Sequence, residues 1–401
     1  MGHYEVMELT MRDELGIGVI GTGGRGSLAD YAHRPKEGVR LVAGADTNPR
    51  ALEEFRNKFG QDVFATEDYK LLLAREDIQA VFITSPDFVH EEHAVAALKA
   101  GKHVYLEKPM AVTIDGCDHI LKTAYEKKLK LYLGHNMRHM SFIVKMKELI
   151  DSGRIGEVKV GWCRHFIGYG GDAYFKDWHS EREKSTGLLL QKGAHDIDIL
   201  HWLCGGYTKK VTAFGALTLY DKIADRRDSS ESPDVSWHDE NWPPLSQKKL
   251  NPIIDVEDLN MMLMHLDNGV FASYQQCHYT PDSWRNYCII GTEGRIENLG
   301  DEPGNCVVRL WNRRESYNPK GNEQFVIPPA EGTHGGADPK IVAEFIRYVR
   351  EGGEILTSAI DARYSVAAGC MATQSLRNGG TPADIPALSE EIKAYFTCDV
   401  V

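Results

Sequence analysis

The 401-residue sequence contains no apolar run of about eighteen residues, the length a helix needs to cross a bilayer. It has no Cys-x-x-Cys pair. Eight cysteines are scattered from Cys117 to Cys398, a usage that fits reduced thiols rather than a disulfide framework or a zinc site. Basic residues are not in excess: 46 Lys and Arg against 58 Asp and Glu leave a formal net charge of −12. That balance argues against a broad nucleic-acid or anionic-membrane footprint, because phosphate binding needs a basic face. Sixteen histidines show no tight His/Cys/Asp spacing, so no metal is expected. Residues 1–15 mix Glu, Arg, Asp and His with apolar residues and lack the apolar stretch of a secretory signal. The expectation is a soluble cytoplasmic protein, without low-complexity tracts or internal repeats, and long enough for two domains.

The first half alternates short apolar runs with amphipathic stretches. Strands are expected at residues 16–20, 41–45, 80–84, 103–106 and 129–134, with helices between them at 49–59 and 89–100. Gly101 sits where a helix C-cap glycine belongs. This β-α-β succession predicts a doubly wound parallel sheet, a Rossmann domain over about 14–136. After Met137 the pattern changes to a helix at 142–151 and longer alternating strands at 157–166, 211–219, 259–266 and 270–276. Asp267-Asn268-Gly269 reads as a hairpin turn. Consecutive strands without helices imply an α+β domain over 137–385, on an open, mostly antiparallel sheet. Residues 221–252, polar and proline-containing, read as a long insertion; helices return at 338–351 and 359–377, and 1–13 and 386–401 read as terminal extensions.

Gly21-Thr22-Gly23-Gly24-Arg25-Gly26 fits Gly-x-Gly-x-x-Gly directly after the first strand, with a helix pattern following. Its glycines permit a tight turn and close approach of backbone to a pyrophosphate on the next helix N-terminus. Asp46 ends the second strand, twenty residues past Gly26, where a carboxylate accepts hydrogen bonds from the adenosine ribose. The plainer alternative makes Asp46 a helix cap before Pro49. A carboxylate there repels a 2′-phosphate and favours NAD over NADP, a preference that nearby Arg25 and Arg50 soften.

Glu107-Lys108-Pro109 follows the fourth strand at the carboxyl edge of the sheet. A lysine there can donate to a substrate hydroxyl, and a nearby nicotinamide cation should lower its pKa; otherwise it is a loop lysine. Further on, a helix containing Gln191, His195, Asp198 and Trp202 would carry all four on one face. A helical histidine is most often packed or solvated, but one flanked by Gln191 and Asp198 can be an oriented general base.

The glycine motif, Ser85-Pro86-Asp87-Phe88-Val89-His90 and Ala100-Gly101-Lys102-His103-Val104-Tyr105-Leu106-Glu107-Lys108-Pro109 together resemble the glucose–fructose oxidoreductase / inositol dehydrogenase / MocA family. The resemblance runs from about Gly16 through the His195 helix and more loosely to Arg377. It implies a Rossmann domain, a C-terminal α+β domain whose open sheet forms dimer and tetramer interfaces, and a dehydrogenase that moves a hydride between NAD and a secondary alcohol of a sugar, glycoside, sugar acid or inositol. His195 would take the hydroxyl proton while Lys108 orients the hydroxyl. The resemblance also assigns Thr84, Ser85, Pro86, His90, Glu107 and Asn136 to the cofactor. Arg164, His165, Tyr169, Trp178 and His179, with Asp198, are candidates for the substrate.

One departure stands out. Many dehydrogenases of this family carry Asp four residues before the histidine, where this chain has Gln191, which cannot act as a base. Lys192 beside it is expected to point to solvent. Thr333-His334-Gly335-Gly336-Ala337-Asp338 is either a glycine loop capping a helix or the C-terminal motif of some members, which include NAD-dependent redox-neutral glycosidases; in that case His334 reaches the site. The alternatives to a dehydrogenase are such a glycosidase and a non-catalytic nucleotide-binding regulator.

Overall fold

The computed structural model describes residues 14–397. The expected extension 1–13 and Cys398 lie outside that range. Six parallel strands form the first sheet: β1 (Leu15–Ile20), β2 (Val39–Ala45), β3 (Phe64–Thr66), β4 (Ala80–Ile83), β5 (His103–Leu106) and β6 (Leu131–Leu133), in the order β3-β2-β1-β4-β5-β6. Helices cover both faces, so every residue of β1 and β4 is buried and the strands read as continuous apolar runs. β3 is absent from the expected elements, because three half-buried edge residues carry no measurable period.

The helix Pro49–Phe59 begins with Pro49 at its first position, and the Asn48 side chain accepts a hydrogen bond from the Arg50 amide. The helix His90–Lys99 is followed by Gly101 at φ +80°, a left-handed stop. The segment after the glycine motif differs from expectation. Gly24–Ala32 is a 3₁₀ helix rather than an α-helix. The Ser27 hydroxyl donates back to the Gly24 carbonyl at 3.0 Å and the Gly26 amide to the Gly23 carbonyl at 2.8 Å, which tightens the turn.

The second sheet has nine strands: β7 (Val158–Phe166), β8 (Thr208–Ala216), β9 (Leu259–Leu266), β10 (Phe271–Cys277), β11 (Trp284–Gly291), β12 (Arg295–Leu299), β13 (Cys306–Trp311), β14 (Glu323–Ile327) and β15 (Ala383–Asp384). Their order is β14-β13-β12-β11-β7-β10-β9-β8-β15. Only the β7–β10 pair is parallel. The β9–β10 hairpin turns at Gly269, φ +86°. One face packs against the helices Ser141–Asp151, Gly193–Cys204 and Ala359–Arg377, burying Leu200, Met262, Met264 and Ile289. The other face exposes Phe214, Met261, Leu263 and Phe271. Residues 221–252 form an irregular excursion with short 3₁₀ turns; it is pinned by Asn241 Nδ2 donating to Asp172 Oδ1 at 2.7 Å.

Chain order and packing part company at the helix Thr333–Glu351. It follows the second sheet in sequence, yet Ile341, Val342 and Phe345 pack on the first, where the Phe345 ring lies edge-on to Phe82 and Tyr105. His334, Gly335 and Gly336 at its start all have positive φ, so the regular helix begins after a left-handed turn.

Candidate active site

The cleft between the sheets starts at the end of β1. Gly21 sits at φ +91°, and a Cβ there would stand 2.7 Å from the Ser85 amide nitrogen. A Cβ on Gly26 would meet the Gly21 carbonyl oxygen at 2.3 Å. Both positions therefore require glycine. The Thr84 hydroxyl donates to the Gly21 carbonyl at 2.7 Å and fixes the turn from the β4 side. Asp46 Oδ2 accepts from the Gly23 amide at 3.1 Å, and Oδ1 from the Asn48 amide at 2.8 Å. The helix cap is Asn48, so Asp46 faces the glycine turn.

Arg25 reaches across the cleft. Its Nε donates to Glu107 Oε1 at 2.8 Å, and Nη1 and Nη2 to the two Asp338 oxygens at 2.7 and 3.0 Å. Asp338, 1% exposed, also accepts from Asn136 Nδ2 at 3.0 Å and Thr333 Oγ1 at 2.6 Å, and His334 Nδ1 lies 2.7 Å away. Burial opposes its charge, but His334, Arg25 and Thr333 outweigh burial and hold the carboxyl well below the usual carboxylate range. This network brings His334 to the glycine turn and locks Asn136 at the end of β6.

Lys108 Nζ lies 3.5 Å from the Gln191 carbonyl, and the Lys108–Pro109 bond is cis. Burial pushes the Lys108 ammonium below its ordinary pKa, although Asp87 and Glu107 oppose the shift. His195 projects from the helix Gly193–Cys204 into the same cleft. Burial, then the positive charge of Lys108 and Arg285, depresses its pKa strongly, so the imidazole is neutral. Its Nδ1 is buried without a hydrogen-bond partner, which leaves Nε2 for the cleft. Gln191 Oε1 and Asp87 Oδ2 are likewise buried and unpartnered. His90, fully buried, holds the loops together, with its ring nitrogens 2.7 Å from the Pro109 and 2.8 Å from the Ser85 carbonyl oxygens.

Gly21, Gly23, Gly24, Arg25, Asp46, Thr84, Ser85, Pro86, His90, Glu107, Lys108, Asn136, Trp178, His179, Gln191, His195 and His334 line one cleft of about 610 Å³. A second cavity of about 290 Å³ shares Gly21, Asp46, Ser85 and Pro86 with it and continues between Tyr69, Phe88 and His93. The glycine cradle, the Asp46 carboxylate and the unpartnered polar atoms fit a dinucleotide laid along the two cavities.

Five expectations are corrected. Lys192 does not point to solvent: it is 7% exposed and donates to Tyr169 Oη at 3.0 Å, a contact that places Tyr169 behind the cleft wall. Asp198 is away from the cleft, paired with Arg138 at 2.7 and 2.9 Å. It follows His195 by about one turn on the helix Gly193–Cys204, whereas Gln191 ends the separate short helix Leu188–Gln191, so the expected single face carrying all three is broken at Lys192. Arg164 points to the opposite face of β7 and binds Asn286 Oδ1, as strand alternation requires. His165 faces inward but lies beneath the cleft, its Nδ1 2.9 Å from Asp196 Oδ2; burial pushes its pKa down to about 3.

Asp196 is the main residue that sequence reasoning missed. Fully buried beside His195, it also accepts from Tyr274 Oη at 2.9 Å, Arg285 Nε at 3.0 Å and the Tyr287 hydroxyl. The available signal was polar residues at inward positions of β7, β10 and β11. Each taken alone looks like an interrupted strand.

Comparison with known proteins agrees with this architecture. Residues 15–135 match the family model described as "Oxidoreductase family, NAD-binding Rossmann fold", and 147–385 match its "C-terminal alpha/beta domain". The Bacillus subtilis (strain 168) protein YteT is 26% identical over 358 residues, covering 78% of this chain and 81% of its own. Inositol 2-dehydrogenase of Azotobacter vinelandii is 36% identical over 194 residues, 47% of this chain and 54% of its own; the chain thus spans about half the length of that relative. Levoglucosan dehydrogenase in complex with NADH and levoglucosan superposes with a TM-score of 0.75 at 20% identity, over 93% of this chain and all of that one. With both of its domains matched in order around one cleft, the chain belongs to the Gfo/Idh/MocA oxidoreductase family.

Proposed function

We propose that the protein is an NAD-dependent dehydrogenase that oxidises a secondary alcohol of a sugar, glycoside, sugar acid or inositol. The observation that carries this reading is the convergence of Lys108 and a neutral His195 on the cleft that begins at the glycine turn. Bound there, the nicotinamide supplies the hydride acceptor. His195 accepts the hydroxyl proton at Nε2; a neutral imidazole is the form that can do so. Lys108 Nζ donates to the same hydroxyl oxygen and holds the developing negative charge. Gln191 turns its unpartnered Oε1 toward a neighbouring substrate hydroxyl and orients it. Gln191 cannot carry charge, so proton uptake falls to His195 alone. Asp46 favours NAD over NADP, because its carboxylate suits a free ribose hydroxyl and repels a 2′-phosphate. The exposed apolar side chains of β8, β9 and β10 support a homodimer or homotetramer joined through the second sheet.

Absorbance at 340 nm with NAD and a panel of sugars, glycosides, sugar acids and inositols tests the reading. NADH accumulating with one substrate group is the expected result. His334 at the cleft favours one second reading, a redox-neutral glycosidase using the same NAD. Glycoside cleavage with flat absorbance would select it.

A further inference from the structure

Lys192 occupies the joint between the helices Leu188–Gln191 and Gly193–Cys204, and the fold turns its ammonium inward. Nζ lies 5.5 and 5.1 Å from the ring centroids of Tyr169 and Tyr174, and bonds the Tyr169 hydroxyl. Among the described residues no carboxylate comes within 4.0 Å of it. The neighbouring arginines are all paired: Arg25 with Glu107 and Asp338, Arg285 with Asp196. Burial works against the Lys192 charge, yet the phenols Tyr169 and Tyr174 hold its pKa above the ordinary value. The protein thus keeps a charged, nine-tenths buried ammonium on the cleft wall with no carboxylate beside it among the described residues. Such a group is costly in isolation and strongly favours an incoming anion.

We propose that Lys192 is the anion-binding group of the substrate pocket, and that the cleft takes a sugar acid whose carboxylate docks on the Lys192 ammonium. This rests on the reading of the cleft as a carbohydrate site and narrows its substrate class. One ammonium, with the Tyr174 phenol beside it on the cleft, matches a monoanion. A phosphate dianion calls for a second free cation or a cradle of backbone amides; Lys108, the other ammonium on the cleft, is committed to the reacting hydroxyl, and Arg285 is engaged by Asp196. The carboxylate end then lies toward Lys192, and the alcohol to be oxidised toward His195 and Lys108. The same arrangement accounts for Gln191: with an ammonium next in the chain to receive the substrate's charge, an aspartate at that position would compete with the substrate for Lys192.

Calorimetric titration of the NADH-loaded protein tests the proposal with matched probes: glucose and glucuronate, galactose and galacturonate, and glucose 6-phosphate as a dianion. At least one uronate should bind about tenfold or more tightly than its neutral partner. K192M should erase that difference, and K192R should retain part of it. The proposal is overturned if neither uronate exceeds its neutral partner, if glucose 6-phosphate binds more tightly than both uronates, or if the preference survives in K192M. The wild-type comparison decides the matter even if K192M folds poorly. Parallel NADH assays keep the two readings apart. Uronates that bind preferentially but yield no NADH support the subsite and sink the dehydrogenase. NADH from neutral sugars without any acid preference does the reverse.

Discussion

The two ends of the cleft are built by different means. At the glycine turn the working parts are backbone amides and missing side chains, contributed by a short stretch from Gly21 to Gly26 and by Asp46 at the end of the neighbouring strand. At the far end they are side chains gathered from distant segments. Lys108, Trp178, Lys192 and His195 line the cavity, while His165, Tyr274 and Arg285 meet on Asp196 behind it. A backbone cradle recognises a phosphate by its amides alone, whatever side chains surround it. A side-chain wall can be changed one residue at a time, which lets one scaffold host different sites.

The sharpest break of that contrast is chemical. K108A and H195N should lower kcat by about 10²- to 10⁴-fold while leaving NADH affinity, read by fluorescence titration, within a few-fold of wild type. A variant that binds NADH normally and keeps full turnover removes that residue from the mechanism. A K108A loss of turnover with intact binding also excludes a non-catalytic regulator.

Next in size is the support behind the wall. D196N leaves Arg285 and His165 without their shared carboxylate and should cost about 3–5 kcal/mol of stability, read as a lower urea midpoint. An unchanged midpoint would mean that Asp196 serves only to orient its neighbours.

Acid should act on the second domain through buried neutral imidazoles. Burial holds His165 down to about 3 and His201 to about 4, the latter with Nε2 2.7 Å from Thr208 Oγ1. Between those values and about 6.5 the unfolded chain binds protons that the folded one excludes, so their contribution is complete above that window and falls as pH drops. Urea titrations at pH 7 and 5 should differ by about 2 kcal/mol for each histidine, with lower stability at pH 5. H165F should flatten part of that slope; equal slopes would remove His165 as the cause.

At the cofactor end the expected effect is smaller. D46A should reduce the preference for NAD over NADP by about tenfold, without changing kcat at saturating NAD. Unchanged selectivity would move cofactor choice to another residue. Smallest for the cleft itself is L263E on the open sheet face. It should shift the assembly toward monomer in light scattering while NADH affinity stays constant, and an unchanged mass would place the interface elsewhere.

The glycine turn, Asp46, Lys108 and His195 line one cleft, and the sequence could single them out because each belongs to a contiguous string read from near neighbours. The strands β1 and β4 were legible for a related reason, since burial on both faces writes an unbroken apolar run, and β2 and β5 keep such a run after Arg40 and His103. Legibility failed where a role depended on a partner far along the chain. Asp338 answers Arg25 across more than 300 residues, Asp196 gathers residues from three strands, and Asp198 is claimed by Arg138. No local pattern records those meetings.

Periodicity, glycine spacing and turn chemistry are short-range properties, and they were enough to specify a Rossmann sheet followed by an open sheet, with a nucleotide turn at the first β-α junction. The inward turn of Lys192, the seat of the Thr333–Glu351 helix on the first sheet, and the split between residues that reach the cleft and those that brace it were settled by packing. Each depends on which buried charge finds a partner, and that is known only when the two sheets and their helices have closed around one another.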